Sequence, residues 1–327
     1  MSQLADFAPI LLKAFLASLI LTILLGPVII PILNKLRLGQ YIRQEGPAKH
    51  FKKAGTPTMG GIIFIIPLLI STMIFAGESA EALTAATVTL GYGIIGFIDD
   101  FIKVALKRSL GLKARYKLLG QLIMGFFLAL LAVKYLGRGT DLRIPFTDYM
   151  LELGSLYYPF VLLVLVSSTN AVNLTDGLDG LAAGCTMFVS IGYVFISLLL
   201  GTTELAVFAA ALAGGCFGFL AFNFYPAKVF MGDTGSLALG AAVACLAVLT
   251  GTELVLPIVG GIYVIETLSV VLQVASFRLR GKRIFLMSPL HHHFELAGWE
   301  EEKIVLLFWA FSALFSLLGV LSVIKIG

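Results

Sequence analysis

Residues 8–34 read APILLKAFLASLILTILLGPVIIPILN, with Lys13 as the only charge. A bilayer-spanning helix needs about 20 predominantly apolar residues, so this stretch is long enough to cross. It also exceeds the roughly 7–15 apolar residues of a signal peptide. With no basic segment ahead of it, it is expected to remain as a first span. Nine similar stretches follow, at 58–76, 82–99, 118–136, 156–172, 178–200, 204–222, 234–250, 254–276 and 304–325. Pro27, Pro31, Pro67 and Pro257 fit kinked membrane helices, where neighbouring groups satisfy the freed backbone. Runs of small residues such as AALAGGCFGF at 209–218 allow helices to approach closely. The expected fold is all-α: a polytopic integral membrane protein with about ten transmembrane helices, one domain over residues 1–327 and no repeat of fixed period.

Composition points the same way. The chain is 59% hydrophobic and 13% charged, against about 25% charged in soluble proteins, which excludes a water-soluble domain. Its net charge of +4 is a matter of topology rather than a nucleic-acid footprint. If the N-terminus lies outside, loops 35–57, 101–117, 223–233 and 277–303 face the cytoplasm and hold 18 of the 23 Lys and Arg residues. That split satisfies the positive-inside tendency and leaves both termini outside. The outer loop 137–156 reads as a small hairpin. Cys185, Cys216 and Cys245 fall inside apolar runs and read as buried hydrophobes.

The polar residues that apolar spans do not explain gather on the cytoplasmic side of this map, where ionisable groups are usually paired or functional. Asp99 and Asp100 end the third span. Adjacent carboxylates can bind Mg²⁺ or deprotonate a nucleophile, and on a helix their side chains diverge by about 100°. The alternative is a solvated helix end paired with Lys103 or Lys107. At 170–180, NAVNLTDGLDG places Asn170, Asn173 and Gly177 on one helical face, with Asp176 and Asp179 following. In NFYPAKVFMGDTGS at 223–236, Asp233 or Thr234 can cap the next helix, leaving its amides for a phosphate; Asp233 can instead hold Mg²⁺ against a diphosphate. His291, His292 and His293 stand in a row, without the spacing of a zinc site. Lys117 is the first of the loop cations expected to neutralise a substrate phosphate.

Six motifs carry a resemblance: GTPTMGG at 55–61, FIDDFIKV at 97–104, YKLLGQ at 116–121, NAVNLTDGLDGLA at 170–182, NFYPAKVFMGDTGS at 223–236 and MSPLHHHFELAGW at 287–299. On these the chain resembles the polyprenyl-phosphate N-acetylhexosamine-1-phosphate transferases of bacterial inner membranes. The PLHHHFE run favours the muramoyl-pentapeptide branch over the N-acetylglucosamine branch. The resemblance implies UDP-N-acetylmuramoyl-pentapeptide as donor, undecaprenyl phosphate as acceptor, lipid I and UMP as products, a need for Mg²⁺, and a homodimer. It implies Asp233 as metal ligand, and Asp99 and Asp100 at the lipid phosphate. Asn173, Asp176, Gly177, Leu178, Asp179, Asn223 and Phe230 would line the nucleoside pocket, joined by Lys53 and Thr58. Lys117 and His291–His293 would surround the donor phosphates. A one-step displacement and a route through a phosphorylated aspartate both remain open. The rival class is a secondary transporter or flippase.

Overall fold

The computed structural model describes residues 2–35, 55–106 and 111–324. Helices follow the apolar runs: α1 (Ser2–Lys35), α2 (Ile62–Ala76), α3 (Ala80–Ala105), α4 (Ala114–Leu130), α5 (Tyr157–Thr175), α6 (Leu181–Leu199), α7 (Thr203–Asn223), α8 (Gly232–Thr250), α9 (Leu256–Val259), α10 (Gly261–Arg280), α11 (Leu290–Leu296) and α12 (Glu301–Leu321). Among the described residues, nine helical stretches are long and apolar enough to cross a membrane, and α2 is a shorter apolar helix. The expected all-α, multi-spanning architecture is what is found.

Helices α7 and α8 form the centre. α7 lies against α1, α2 and α6, while α8 lies against α3 and α5. Every residue of α8 from Thr234 to Leu249 is buried. Lipid tails are as apolar as leucine, so helix association in a bilayer depends on close contact and hydrogen bonds rather than on water exclusion. The sequence provides for this with small residues. At Gly240 an added Cβ would stand 2.5 Å from the Thr169 Cα, and beside it the Ser168 hydroxyl donates to the Gly240 carbonyl at 2.8 Å. The outer helices α1, α4, α10 and α12 instead display large apolar side chains such as Leu24, Ile123, Leu272 and Leu317.

Two expected spans differ in detail. The run beginning at residue 58 becomes helical only at Ile62. Pro57 and the residues after it are occupied elsewhere: Phe230 N–H donates to the Pro57 carbonyl, and the Gly60 and Gly61 amides donate to the Phe230 and Met231 carbonyls, all at 2.8–3.0 Å. The segment 254–276 is broken into α9 and α10. Gly260 leaves helical geometry at φ −92°, ψ 31°, a concession that glycine makes readily.

The connection between α4 and α5 contains the expected hairpin, β1 (Asp141–Arg143) paired antiparallel with β2 (Met150–Glu152). A buried network fastens this end of the bundle. Arg138 donates from Nη2 to both Glu253 carboxylate oxygens at 3.0 and 2.9 Å and from Nε to the Val248 carbonyl. Tyr157 donates its hydroxyl to Glu253 at 2.6 Å. Burial pushes the Glu253 carboxyl up to about 6 despite the arginine beside it. Arg138→Met should therefore destabilise the folded protein by about 3–5 kcal/mol, the cost of stranding a buried charge. The defect should shrink as pH falls, because a carboxyl with a raised pKa takes up its proton in the folded state first. Thermal midpoints in detergent at pH 5 and pH 8 provide the check.

Candidate active site

Alternation of helix direction brings the end of α3, the starts of α4 and α8, and the end of α5 to one end of the bundle. Helix α3 presses its backbone onto α8: a Cβ on Gly96 would stand 2.1 Å from the Asp233 carbonyl oxygen. One turn further on, Asp100 therefore reaches the first turn of α8. Its carboxylate accepts from the Asp233 amide at 3.2 Å, the Thr234 amide at 2.9 Å and the Thr234 hydroxyl at 2.8 Å. The sequence led to the expectation that Asp233 or Thr234 would cap this helix and leave its amides free for a phosphate. The cap instead comes from another helix, and those amides are taken. A carboxylate there also meets the positive end of the helix dipole.

Asp233 lies beside this cap. Its Oδ2 is 2.5 Å from the Lys117 ammonium and 3.0 Å from that of Lys103, and its Oδ1 accepts from the Asn173 amide at 3.1 Å. Asn173 also donates to the Ser236 hydroxyl at 2.7 Å. Asp99 points a different way from Asp100, as helical divergence requires. One of its oxygens accepts from the Leu112 amide at 2.9 Å, and the other lies 2.7 Å from Lys103 Nζ. Lys103 Nζ is also 3.4 Å from Asp100.

Asp99, Asp100 and Asp233 each offer an oxygen within 4.8 Å of the others. Two ammonium groups face three carboxylates, which leaves net negative charge at their meeting point. The Lys103 ammonium touches all three and occupies the kind of position a cation would take. This donor set suits Mg²⁺, which favours one or two carboxylates together with substrate oxygens.

Most of the remaining expected site residues lie in the 170–180 and 223–236 segments and in α11. Asp176 follows α5 as a half-buried residue, and burial together with the Asp233, Asp100 and Asp179 carboxylates pushes it well above the usual carboxylate range. Gly177 lies beyond the end of α5, off the helical face that the sequence suggested. A Cβ there would meet the His291 ring at 2.1 Å, so only glycine lets the two elements touch. Asn170 turns away, donating to the Val166 carbonyl and to Gln121.

Asp179 accepts from the Ala227 amide at 2.9 Å, while Asn223 accepts from the Gly180 amide and donates to the Val229 carbonyl. These two side chains thus stitch the 170–180 segment to the 223–236 segment. Leu178 is buried, and Phe230 is half-buried with its backbone bonded to the 57–60 segment. Thr58 is buried next to Gly232 and Asp100. Lys53 lies outside the described residues.

The three histidines belong to α11 and do different things. His291 is fully buried, His292 Nδ1 lies 2.6 Å from Glu295, and His293 Nδ1 accepts from the Leu286 amide. In the sequence Lys103 is a pairing partner for Asp99 or Asp100 and one of the loop cations behind Lys117, and no motif singles out Glu266 or Glu301. Glu301 accepts from the Asp179 amide at 2.8 Å. Glu266 carried a legible signal, an acid in the middle of an apolar span.

Residues 82–251, more than half of the chain, match the family described as glycosyl transferase family 4. With the fold, this defines a multi-spanning membrane transferase. Residues 53–65 match phospho-N-acetylmuramoyl-pentapeptide-transferase signature 1. A phospho-N-acetylmuramoyl-pentapeptide-transferase of Desulfitobacterium hafniense is 58% identical over 326 residues, covering 95% of this chain and 97% of its own. Proteins of the same name from Moorella thermoacetica, at 54% identity over 94% of this chain and 97% of their own, and from Halalkalibacterium halodurans, at 48% over 95% and 97%, are similar along the same length. The chain belongs to the phospho-N-acetylmuramoyl-pentapeptide-transferase family.

The geometry separates the two adjacent acids. Asp100→Asn should lower the thermal midpoint, since a charged cap on two amides and a hydroxyl is worth about 1–3 kcal/mol. Asp99→Asn relieves repulsion among three carboxylates and should leave the midpoint unchanged or higher. Thermal unfolding of the two variants in detergent makes the comparison, and equal losses would count against the assignment.

Proposed function

We propose that residues 1–327 form one transferase domain that moves phospho-N-acetylmuramoyl-pentapeptide from its UDP carrier to undecaprenyl phosphate, giving lipid I and UMP. The observation that carries this reading is the meeting of Asp99, Asp100 and Asp233 with Lys103 and Lys117 in a member of this family. The site faces the cytoplasm of a bacterial inner membrane, both termini lie outside, and the protein works as a homodimer. The side is supported by the 18 of 23 cationic residues assigned to the loops at that end.

In this reaction an oxygen of the acceptor phosphate attacks the β-phosphorus of the donor, the one that bears the sugar. The bond to the bridging diphosphate oxygen breaks, and UMP departs with that oxygen. Phosphoryl transfer of this kind depends mainly on positioning and charge neutralisation. Lys117 and Lys103 supply fixed positive charge to the phosphate oxygens. Asp100 is committed to α8, so Asp99 is the carboxylate that faces the acceptor phosphate and takes its proton. Asp233 would hold Mg²⁺, with Asp99 and Asp100 at its edge; the ion supplies charge neutralisation to the diphosphate. Asp176, Asp179, Asn223, Gly177, Leu178, Phe230 and Thr58 line or support the nucleoside side, and the family resemblance assigns Lys53 a role in donor binding. A transport reading is less well supported: transporter sites tend to lie at the bilayer midplane between repeated halves, whereas these carboxylates stand at helix ends.

Purified protein given Mg²⁺, undecaprenyl phosphate and UDP-N-acetylmuramoyl-pentapeptide should release UMP rather than UDP, and should use UDP-N-acetylglucosamine poorly. Efficient use of the smaller donor would move the protein to the sister activity, and release of UDP would rule out transfer of a phospho-sugar. Asp233→Asn should abolish turnover or shift its Mg²⁺ dependence to higher concentration. A wild-type Mg²⁺ titration in that variant would remove Asp233 from the metal site.

A further inference from the structure

Glu266 sits in α10, one of the membrane-crossing helices, and is fully buried. An acid at such a position is costly unless its oxygens are occupied. Both are. Oε2 accepts from the Leu290 amide at 2.7 Å, and Oε1 accepts from the His291 amide at 3.2 Å. These are the first amides of α11, which has no side-chain cap of its own. Oε1 also lies 3.2 Å from Nδ1 of the His291 ring. The opposite edge of that ring, at Nε2, abuts Gly177 so closely that a single added carbon would collide with it. Just ahead of this turn, at the end of α5, Asn173 donates to the Asp233 carboxylate at 3.1 Å. A continuous line of contact therefore runs from Glu266 through the His291 ring to the turn beside the carboxylate centre.

We propose that Glu266 is a positioning residue of the transfer site: by binding the first two amides of α11, and with its charge beside Nδ1 of the His291 ring, it holds His291 Nε2 against the Asp176–Gly177 turn. This inference rests on the transferase reading. A carboxylate is suited to the task because it can accept from two backbone amides while still presenting negative charge to an imidazole nitrogen. Glutamine in its place has one acceptor oxygen, and its amide group would face a donor. The protein then keeps the shape of the side chain and loses the arrangement of hydrogen bonds.

The test compares Glu266→Gln, Glu266→Ala, His291→Asn and the double variant Glu266→Gln/His291→Asn, each as full-length protein in detergent. UMP release is measured across donor concentrations, and thermal midpoints are recorded alongside. Glu266→Gln should stay folded and lose roughly tenfold or more in kcat, as expected when groups that position the donor are displaced by a fraction of an ångström. The same substitution should add less than about twofold in the His291→Asn background, because residues that act as a unit are not additive. Glu266→Ala should be worse than Glu266→Gln. A wild-type rate for Glu266→Gln overturns the assignment. So do multiplicative losses in the double variant, or a lowered midpoint with unchanged turnover per folded molecule, which marks a purely structural role. Wild-type protein that releases no UMP sinks the transferase reading and this inference with it; an active wild type with an indifferent Glu266→Gln sinks the inference alone.

Discussion

Asp100 and the first turn of α8 satisfy each other. The helix start has amides with no intrahelical partner, and the carboxylate is buried where a bare charge would be costly. Because the two groups lie on different helices, their pairing fixes how far α3 slides along α8 and how it is rotated. Asp99 is then turned toward Lys103, and Asp233 is left with both of its oxygens directed at Lys117, Lys103 and Asn173. Moving α3 by one residue would carry Gly96 away from the Asp233 carbonyl and bring a side chain into a gap that admits only hydrogen. The catalytic geometry and the helix contact are therefore set by one constraint.

The same device recurs around the site. Glu266 caps α11, and Glu301 accepts from the amide of Asp179 just ahead of α6. In each case an acid from one helix satisfies backbone at or near the start of another. In water such ends are solvated at little cost. At the edge of a bilayer they need protein partners, and acids are the natural choice because helix starts carry partial positive charge. The loops at this end are thereby tied together by side-chain hydrogen bonds.

The spans were legible because lipid imposes a simple demand, about 20 apolar residues per helix, and nothing in the core contradicts it. The acid and amide clusters were legible for the converse reason: Asp99, Asp100, Asn173 and Asp233 have no place in a purely apolar plan. What escaped the sequence was pairing across long separations. The partner of Asp100 lies 133 and 134 residues away, and no local pattern announces it, so the capping of α8 was assigned to its own first residues. Lys103 was visible only as the i+4 and i+3 neighbour of the two aspartates. Its contact with Asp233 depends on the crossing of α3 and α8. Gly260 and Pro57 are ordinary residues for a membrane helix, and only tertiary context turns them into a break and an extended entry.

The distance along the chain between Asp100 and the helix it caps also bears on biosynthesis. Helix α3 leaves the ribosome and meets the membrane long before α8 has been made. During that interval Asp99 and Asp100 must be accommodated without the amides that later receive Asp100. Lys103, 2.7 Å from Asp99 and 3.4 Å from Asp100 on the same helix, is the one member of the later cluster already present in the nascent segment. An acid inside a membrane helix penalises insertion by about 2.5–3.5 kcal/mol at the centre and less toward the end, and a cation one turn away offsets part of that. The lysine that completes the mature centre thus has an earlier task, keeping the helix that carries the acids admissible to the bilayer until its partner arrives.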